Sequence, residues 1–330
     1  MITIEKPEVK FALDAVKRAS LLVKHIQKEM VTPALTKGDR SPVTVADFAS
    51  QALVSALLQK AFPNDPLVAE ETSKALQLQE EKNTLAQVTK FVRESLGEVT
   101  SEQVCNWIDN GAASPASRFW TLDPIDGTKG FLRGDQYAIA FALIVEGKVQ
   151  IGVLGCPNLT DGYQPDFGGK GSLVVAVRGE GTWVTPLIGK GQLKPLLVSK
   201  KKVPSQARIL RSFESGHTNV NQIELFAQAL GIKTEPVRMD SQAKYAVLAA
   251  GHGELILRLL SPTRPDYREK IWDQAAGALV VEGAGGKVTD LNGQPLDFTT
   301  GRTLKNNRGI CASNSYLHDA AIDVLRKLNA

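Results

Sequence analysis

The chain is short of cysteine, of aromatic rings and of net charge, and it has no long apolar run. Its three cysteines, Cys105, Cys156 and Cys311, are too few and odd in number for a disulfide framework in 330 residues. None belongs to a Cys-x-x-Cys pair, which argues against a cysteine zinc site. The 39 basic and 35 acidic residues leave a formal charge of +4. That is too small and too evenly scattered to mark a nucleic-acid or membrane surface, although a local basic pocket for a small anion remains open. No stretch approaches the ~20 apolar residues of a membrane span. The N-terminal run MITIEKPEVKFALDAVKRAS lacks the apolar core of a secretory signal. The expectation is a cytosolic protein with all three thiols free, Cys105 being the one most open to reaction because it lies in a polar helical stretch. His25, His252 and His318 show no metal-ligand spacing.

What is present is ordinary globular material: 43% hydrophobic and 22% charged residues. The length suits one large domain or two fused ones. Apolar residues at helical spacing run through 8–29 and again through 45–61, and residues 66–71 read as a short strand stopping at Glu70 and Glu71. Residues 73–110 are polar and helix-prone. Residues 118–122 form a strand running into Asp123, and 137–145 and 149–154 form a hairpin across Glu146-Gly147-Lys148. Strand-like residues 173–178 and 182–184 flank another Gly-rich turn, and the lysine-rich stretch 186–205 resembles a linker. After it strands and helices alternate, with strands at 208–213, 236–239, 254–260 and 309–312. Helices are expected at 219–230, 242–250, 271–282 and the C-terminus. This predicts an α+β half, residues 1–190, and an α/β half, residues 191–330, with a soft boundary near 190.

The informative run is Leu122-Asp-Pro-Ile-Asp-Gly-Thr128. An apolar strand ends in Asp123, Pro124 stiffens the corner, Asp126 follows, Gly127 allows a tight turn, and Thr128 stands where a helix can start. Two carboxylates on a rigid corner suit a hard cation that keeps its waters and takes phosphate oxygens. Alone, the same run reads far more readily as a turn with capping aspartates, which are common. Further carboxylates stand at Glu70 and Glu71, at Asp47 on the second helix, and at Asp273 in Ile-Trp-Asp-Gln-Ala-Ala-Gly277. Each is separately consistent with surface charge or a helix cap. Together they suffice for two or more metals. Gly283-Ala-Gly-Gly286 follows a helix and reads as a helix stop, not a dinucleotide loop.

The combination of the acidic pair after a strand, Asp-Pro-Ile-Asp-Gly-Thr and Trp-Asp-Gln-Ala-Ala-Gly resembles the lithium-sensitive, magnesium-dependent phosphatase superfamily of inositol monophosphatases. Thr128-Lys-Gly-Phe131 resembles its 3′(2′),5′-bisphosphate nucleotidase branch. The resemblance implies a layered αβαβα sandwich with the site between its halves. It implies two or three Mg²⁺ ions on Glu70, Asp123, the Ile125 carbonyl, Asp126 and Asp273, with Glu71 behind them. It also implies that Asp47 and Thr128 activate the attacking water, and that Thr128, His217, Ser241, Lys244, Arg258 and Asp273 hold the nucleotide. Without the resemblance, His217 reads as a loop histidine and Lys244 as a solvated helix lysine. Arg258 stands out even so, because a charge within an apolar strand needs a partner. The implied reaction is removal of the 3′-phosphate of adenosine 3′,5′-bisphosphate, with 3′-phosphoadenylyl sulfate as a second substrate, by a monomer linked at family level to sulfur assimilation. The alternatives are an inositol phosphate phosphatase with the same metal site and a non-catalytic divalent-ion or nucleotide sensor.

Overall fold

Val9, Ala12, Val16, Ala19, Val23 and Ile26 recur every three or four positions and form one buried stripe along α1 (Pro7–Glu29). The computed structural model describes residues 5–29, 35–36, 42–43, 45–213 and 220–329. A small antiparallel pair, β1 (Leu35–Thr36) and β2 (Pro42–Val43), precedes α2 (Val45–Ala61). Most of α2 is buried from Val45 to Leu58, because it lies among α1, α3 (Lys82–Leu96), α4 (Ser101–Asp109) and the first sheet. α4 starts at a capping box in which the Thr100 hydroxyl accepts from the Gln103 N–H and the Gln103 side chain accepts from the Thr100 N–H.

The first sheet has seven strands in chain order: β3 (Leu67–Ala69), β4 (Arg118–Asp126), β5 (Ala138–Val145), β6 (Lys148–Cys156), β7 (Ser172–Val177), β8 (Gly181–Pro186) and β9 (Lys194–Leu196). β3 and β4 are parallel and the rest form an antiparallel meander. The short helix α5 (Thr128–Arg133) lies between β4 and β5. Central strands such as Ala138–Val145 are nearly unbroken apolar runs because helices cover both faces of the sheet. The linker-like lysine stretch contributes an edge strand: β9 pairs with β8, so the first sheet continues past residue 190. Pro195 is tolerated there because an edge strand leaves one side of its backbone unpaired.

The second sheet has the order β11-β10-β12-β14-β13. It is built from β10 (Ile209–Arg211), α6 (Val220–Leu230), β11 (Val237–Arg238), α7 (Ala243–Ala249), β12 (Leu255–Arg258), α8 (Ala275–Gly283), β13 (Lys287–Thr289), β14 (Ile310–Ser313) and α9 (His318–Lys327). β11, β10 and β12 are parallel; β14 and β13 complete it antiparallel. α7 and α8 lie between the two sheets, α8 against β5–β8 on one side and β13–β14 on the other. The layers therefore run helix, sheet, helix, sheet, helix, as expected for the αβαβα sandwich.

All three cysteines are free and buried. Burial pushes the Cys156 and Cys311 thiols up to about 12 and raises that of Cys105 as well, so none stands ready as an exposed thiolate. His318 bridges the hydroxyls of Thr289 and Ser313 at 3.0 and 2.9 Å, and burial pushes its pKa down to about 4. It is a neutral structural histidine.

Candidate active site

β3 and β4 run parallel with Ala69 opposite Leu122, so the residues that follow, Glu70 and Asp123, leave the sheet at the same edge. Beyond Asp123 the pairing of β4 with β5 slips, and Asp126 next meets Ala138. This bulge turns two carboxylates out of one strand end. The Ser50 hydroxyl donates to the Pro124 carbonyl at 3.0 Å, fastening α2 to the corner. Asp47 lies one helical turn before Ser50, on the same side of α2, and is buried.

Gly127 then takes φ +86°, and a Cβ there would stand 2.9 Å from the Ser241 Cβ. The corner needs both the left-handed backbone and the missing side chain. Thr128 opens α5 and its hydroxyl donates to the Ile125 carbonyl at 3.3 Å. Ser241 itself has φ +69°, an unusual conformation for a residue with a side chain. The following Gln242 N–H donates to Asp126 Oδ2 at 2.7 Å.

Gln242 joins the two halves of the site. Its side-chain nitrogen donates to the Trp272 carbonyl and its side-chain oxygen accepts from the Gly277 N–H, both at 3.0 Å. This fixes the turn that carries Asp273. The helix expected from residue 271 begins only at Ala275, so Asp273 sits in the preceding turn and does not open the helix.

Glu70, Asp123, Ile125, Asp126, Thr128, Ser241, Lys244, Arg258 and Asp273 all line one cleft of about 860 Å³. Asp47 is buried on α2 behind it, and His217 lies outside the described residues. The backbone of Glu71 is clamped by Gln51, whose amide nitrogen donates to the Glu71 carbonyl and whose oxygen accepts from the Glu71 N–H. Lys244 corrects the reading of a solvated helix lysine: it is buried, and burial lowers its pKa to about 8. Its ammonium donates to the Ser212 hydroxyl at 3.3 Å. Arg258 already has a partner within the chain, because Glu269 pairs with it at 3.0 Å. Arg258 Nε remains buried without a hydrogen-bond partner.

The floor of the cleft crowds like charges. Burial, then Glu70, Asp126, Asp273 and Asp47, hold the Asp123 carboxyl well above the ordinary carboxylate range. Burial raises Asp273 in the same way, against the pull of Arg258. Asp126 is raised by burial, while Lys244 and Arg258 oppose the shift. Asp123 Oδ1 is buried with no hydrogen-bond partner, so the fold leaves an acceptor for something else to satisfy. Among the described residues no three His, Cys, Asp or Glu side chains already close around a single point. Mg²⁺ does not need that, because it binds through one or two carboxylates plus water and phosphate oxygens. An all-oxygen donor set, one orphaned acceptor and mutual repulsion fit such a cation.

Sequence reasoning missed the segment that closes the cleft at residues 263–270, with Arg264, Tyr267, Arg268 and Lys270 on its wall. Its signal was three cations within one stretch punctuated by Pro262 and Pro265. It also missed Glu269, whose carboxylate accepts from Gln274 at 2.9 Å besides pairing with Arg258.

Residues 5–330 match the inositol monophosphatase family model. A Schizosaccharomyces pombe protein named 3′(2′),5′-bisphosphate nucleotidase is 44% identical over 96% of this chain and 94% of its own. A rice protein of the same name is 42% identical over 94% and 91%. Among solved structures, a Thermotoga maritima IMPase superposes with a TM-score of 0.67 at 20% identity, covering 98% of both chains. A likeness at that identity speaks for the fold.

Proposed function

The chain belongs to the inositol monophosphatase family, and from that membership and the cleft we propose that it is a Mg²⁺-dependent 3′(2′),5′-bisphosphate nucleotidase. It removes the 3′-phosphate of adenosine 3′,5′-bisphosphate, giving AMP and phosphate, and accepts 3′-phosphoadenylyl sulfate. The observation that carries this reading is one cleft with Glu70, Asp123, Asp126 and Asp273 facing two cations, the buried Lys244 and the part-buried Arg258. The full-length relatives named as this nucleotidase favour it over an inositol phosphatase.

Glu70, Asp123, Asp126, Asp273 and the Ile125 carbonyl would hold the ions. Bound there, Mg²⁺ lowers the pKa of a water and neutralises charge on the phosphoryl group. The remaining work falls to the chain. Thr128 Oγ1, steadied by the Ile125 carbonyl, orients the attacking water. For the water's proton to pass on, the Thr128 hydroxyl hydrogen turns from the Ile125 carbonyl to Asp47, which is buried on α2 and takes it up as the hydroxyl oxygen accepts the proton of the water. Lys244, Arg258, Ser241 and His217 hold the nucleotide, the cations facing the phosphate that does not react. Positioning by fixed charges supplies much of the catalysis in phosphoryl transfer. A sensor needs no water-activating pair. A reducing compartment such as the cytosol suits three free thiols, and no helix among the described residues is long and apolar enough to cross a membrane.

Excess EDTA should stop phosphate release from adenosine 3′,5′-bisphosphate, and Mg²⁺ should restore it. At limiting Mg²⁺, Li⁺ should inhibit where equal K⁺ does not, because an all-oxygen site admits a small hard ion. Release that persists in EDTA, or ignores Li⁺ throughout a titration, contradicts the metal reading.

A further inference from the structure

Arg302 lies far in sequence from every carboxylate of the cleft, yet it touches the chain beside two of them. One guanidinium nitrogen donates to the Ala69 carbonyl, the residue just before Glu70. The other donates to the carbonyls of Gly111 and Ala113 at 3.1 and 3.3 Å. The guanidinium also stacks on the Trp272 ring, 4.8 Å from its centroid, and Trp272 immediately precedes Asp273. The backbone of Arg302 joins the same construction: its carbonyl accepts from the Ile271 N–H at 3.2 Å, and Thr303 bridges Lys270.

The surroundings make this a junction rather than a loose surface contact. Ala69 N–H donates to the Gly111 carbonyl at 2.8 Å, and a Cβ on Gly111 would stand 2.9 Å from that of Ala69, so the two strands of chain are pressed together. On the other side of Glu70, Gln51 grips both backbone groups of Glu71. The peptide units flanking Glu70 are therefore held by Gln51 from α2 and by Arg302 from the second half of the chain. The guanidinium makes no ion pair among the described residues; its partners are carbonyl oxygens and an aromatic face. A planar fork serves several carbonyls at once while stacking, which an ammonium cannot do.

We infer that Arg302 is a positioning residue that sets the separation of Glu70 and Asp273, the carboxylates contributed by the two halves, and thereby the affinity of the cleft for a divalent cation. It touches neither substrate nor reacting atoms. The inference rests on the metal reading above, but not on the identity of the substrate.

The test is Mn²⁺ binding by calorimetry to the wild-type chain, Arg302→Lys and Arg302→Ala without substrate. Melting temperatures and Mg²⁺ dependence of turnover are measured alongside. A ligand displaced by a fraction of an ångström weakens a metal site on the scale of an outer-shell change, about 10–100-fold. Arg302→Ala should raise the Mn²⁺ Kd and the half-saturating Mg²⁺ by about that factor, with Arg302→Lys between it and wild type. At saturating Mg²⁺, kcat and the nucleotide KM should return to within about twofold of wild type, on the same reasoning that ligand geometry alone has changed. A lower melting temperature with an unchanged Mn²⁺ Kd in both variants makes Arg302 merely structural and overturns the inference. So does a kcat loss that saturating Mg²⁺ does not repair. A wild-type chain that binds Mn²⁺ but does not hydrolyse the nucleotide refutes the proposed substrate, and calorimetry still decides the role of Arg302. A wild-type chain that binds no Mn²⁺ overturns both.

Discussion

Asp123→Asn and Asp126→Asn should each lower kcat by about a thousandfold or more, close to 4 kcal/mol of transition-state stabilisation. Asp123→Asn should not weaken the metal-free fold. Burial first, and then the charges of Glu70, Asp126, Asp273 and Asp47, hold the Asp123 carboxyl well above the ordinary carboxylate range. Where the carboxyl is ionised, removing its charge relieves repulsion, so the metal-free Asp123→Asn variant should melt higher than wild type at pH above its raised folded value. The same shift sets the pH dependence. A carboxyl whose pKa is raised on folding contributes stability when protonated, fully below its unfolded pKa, and loses that contribution as pH rises through the folded value. Metal-free wild type should accordingly gain melting temperature from these groups as pH falls through their raised folded values, and Asp123→Asn should flatten part of that slope. Stabilisation by Mg²⁺ should run the other way, larger at pH 8, because protons compete for the same oxygens. A variant with wild-type kcat, or one inactive only because it is unfolded, contradicts the assignment.

Arg258→Ala should do two things at once, and they are separable. Glu269 is 5% exposed and pairs with Arg258 at 3.0 Å. Deleting the guanidinium leaves that carboxylate buried with, among the described residues, the Gln274 side chain as its remaining hydrogen-bond partner, which costs roughly 3–5 kcal/mol of stability. Combining it with Glu269→Gln removes the stranded charge and should recover most of the loss. In that stabilised background, kcat/KM for adenosine 3′,5′-bisphosphate should remain about ten- to a hundredfold below the Glu269→Gln single variant. That is the worth of a charge-assisted hydrogen bond to the non-reacting phosphate. Adenosine 3′-monophosphate, which lacks the second phosphate, should show little difference between the two. Equal losses on both nucleotides would make Arg258 a partner of Glu269 only.

What the sequence disclosed follows from where its signals lie. The Asp123–Thr128 corner was legible because strand, bulge, glycine and helix start are contiguous, and the long helices because their apolar period is strong. β9 and β13 were not, since three-residue strands with exposed lysines carry no alternation to read. The start of α8 was misplaced because Ile271 and Trp272 extend its apolar pattern backward. In the fold their turn is instead held by hydrogen bonds to Gln242 and Arg302, which no local pattern encodes. Arg258 stood out as a charge within an apolar strand, but its partner Glu269 is reached across a proline-containing loop. Arg302 was silent for a plainer reason: its acceptors are main-chain carbonyls, and any sequence supplies those. Carboxylates that share a cleft were predictable as chemistry; the residues that set their spacing became visible only in three dimensions.

The central claim is that this cleft hydrolyses a bisphosphorylated nucleotide. The direct measurement is kcat/KM for phosphate release from adenosine 3′,5′-bisphosphate and from inositol 1-phosphate, in Mg²⁺, with the nucleotide product identified. The account predicts strong preference for the nucleotide and AMP as its product. Equal or greater activity on inositol 1-phosphate, or adenosine 3′-monophosphate as the product, would contradict it.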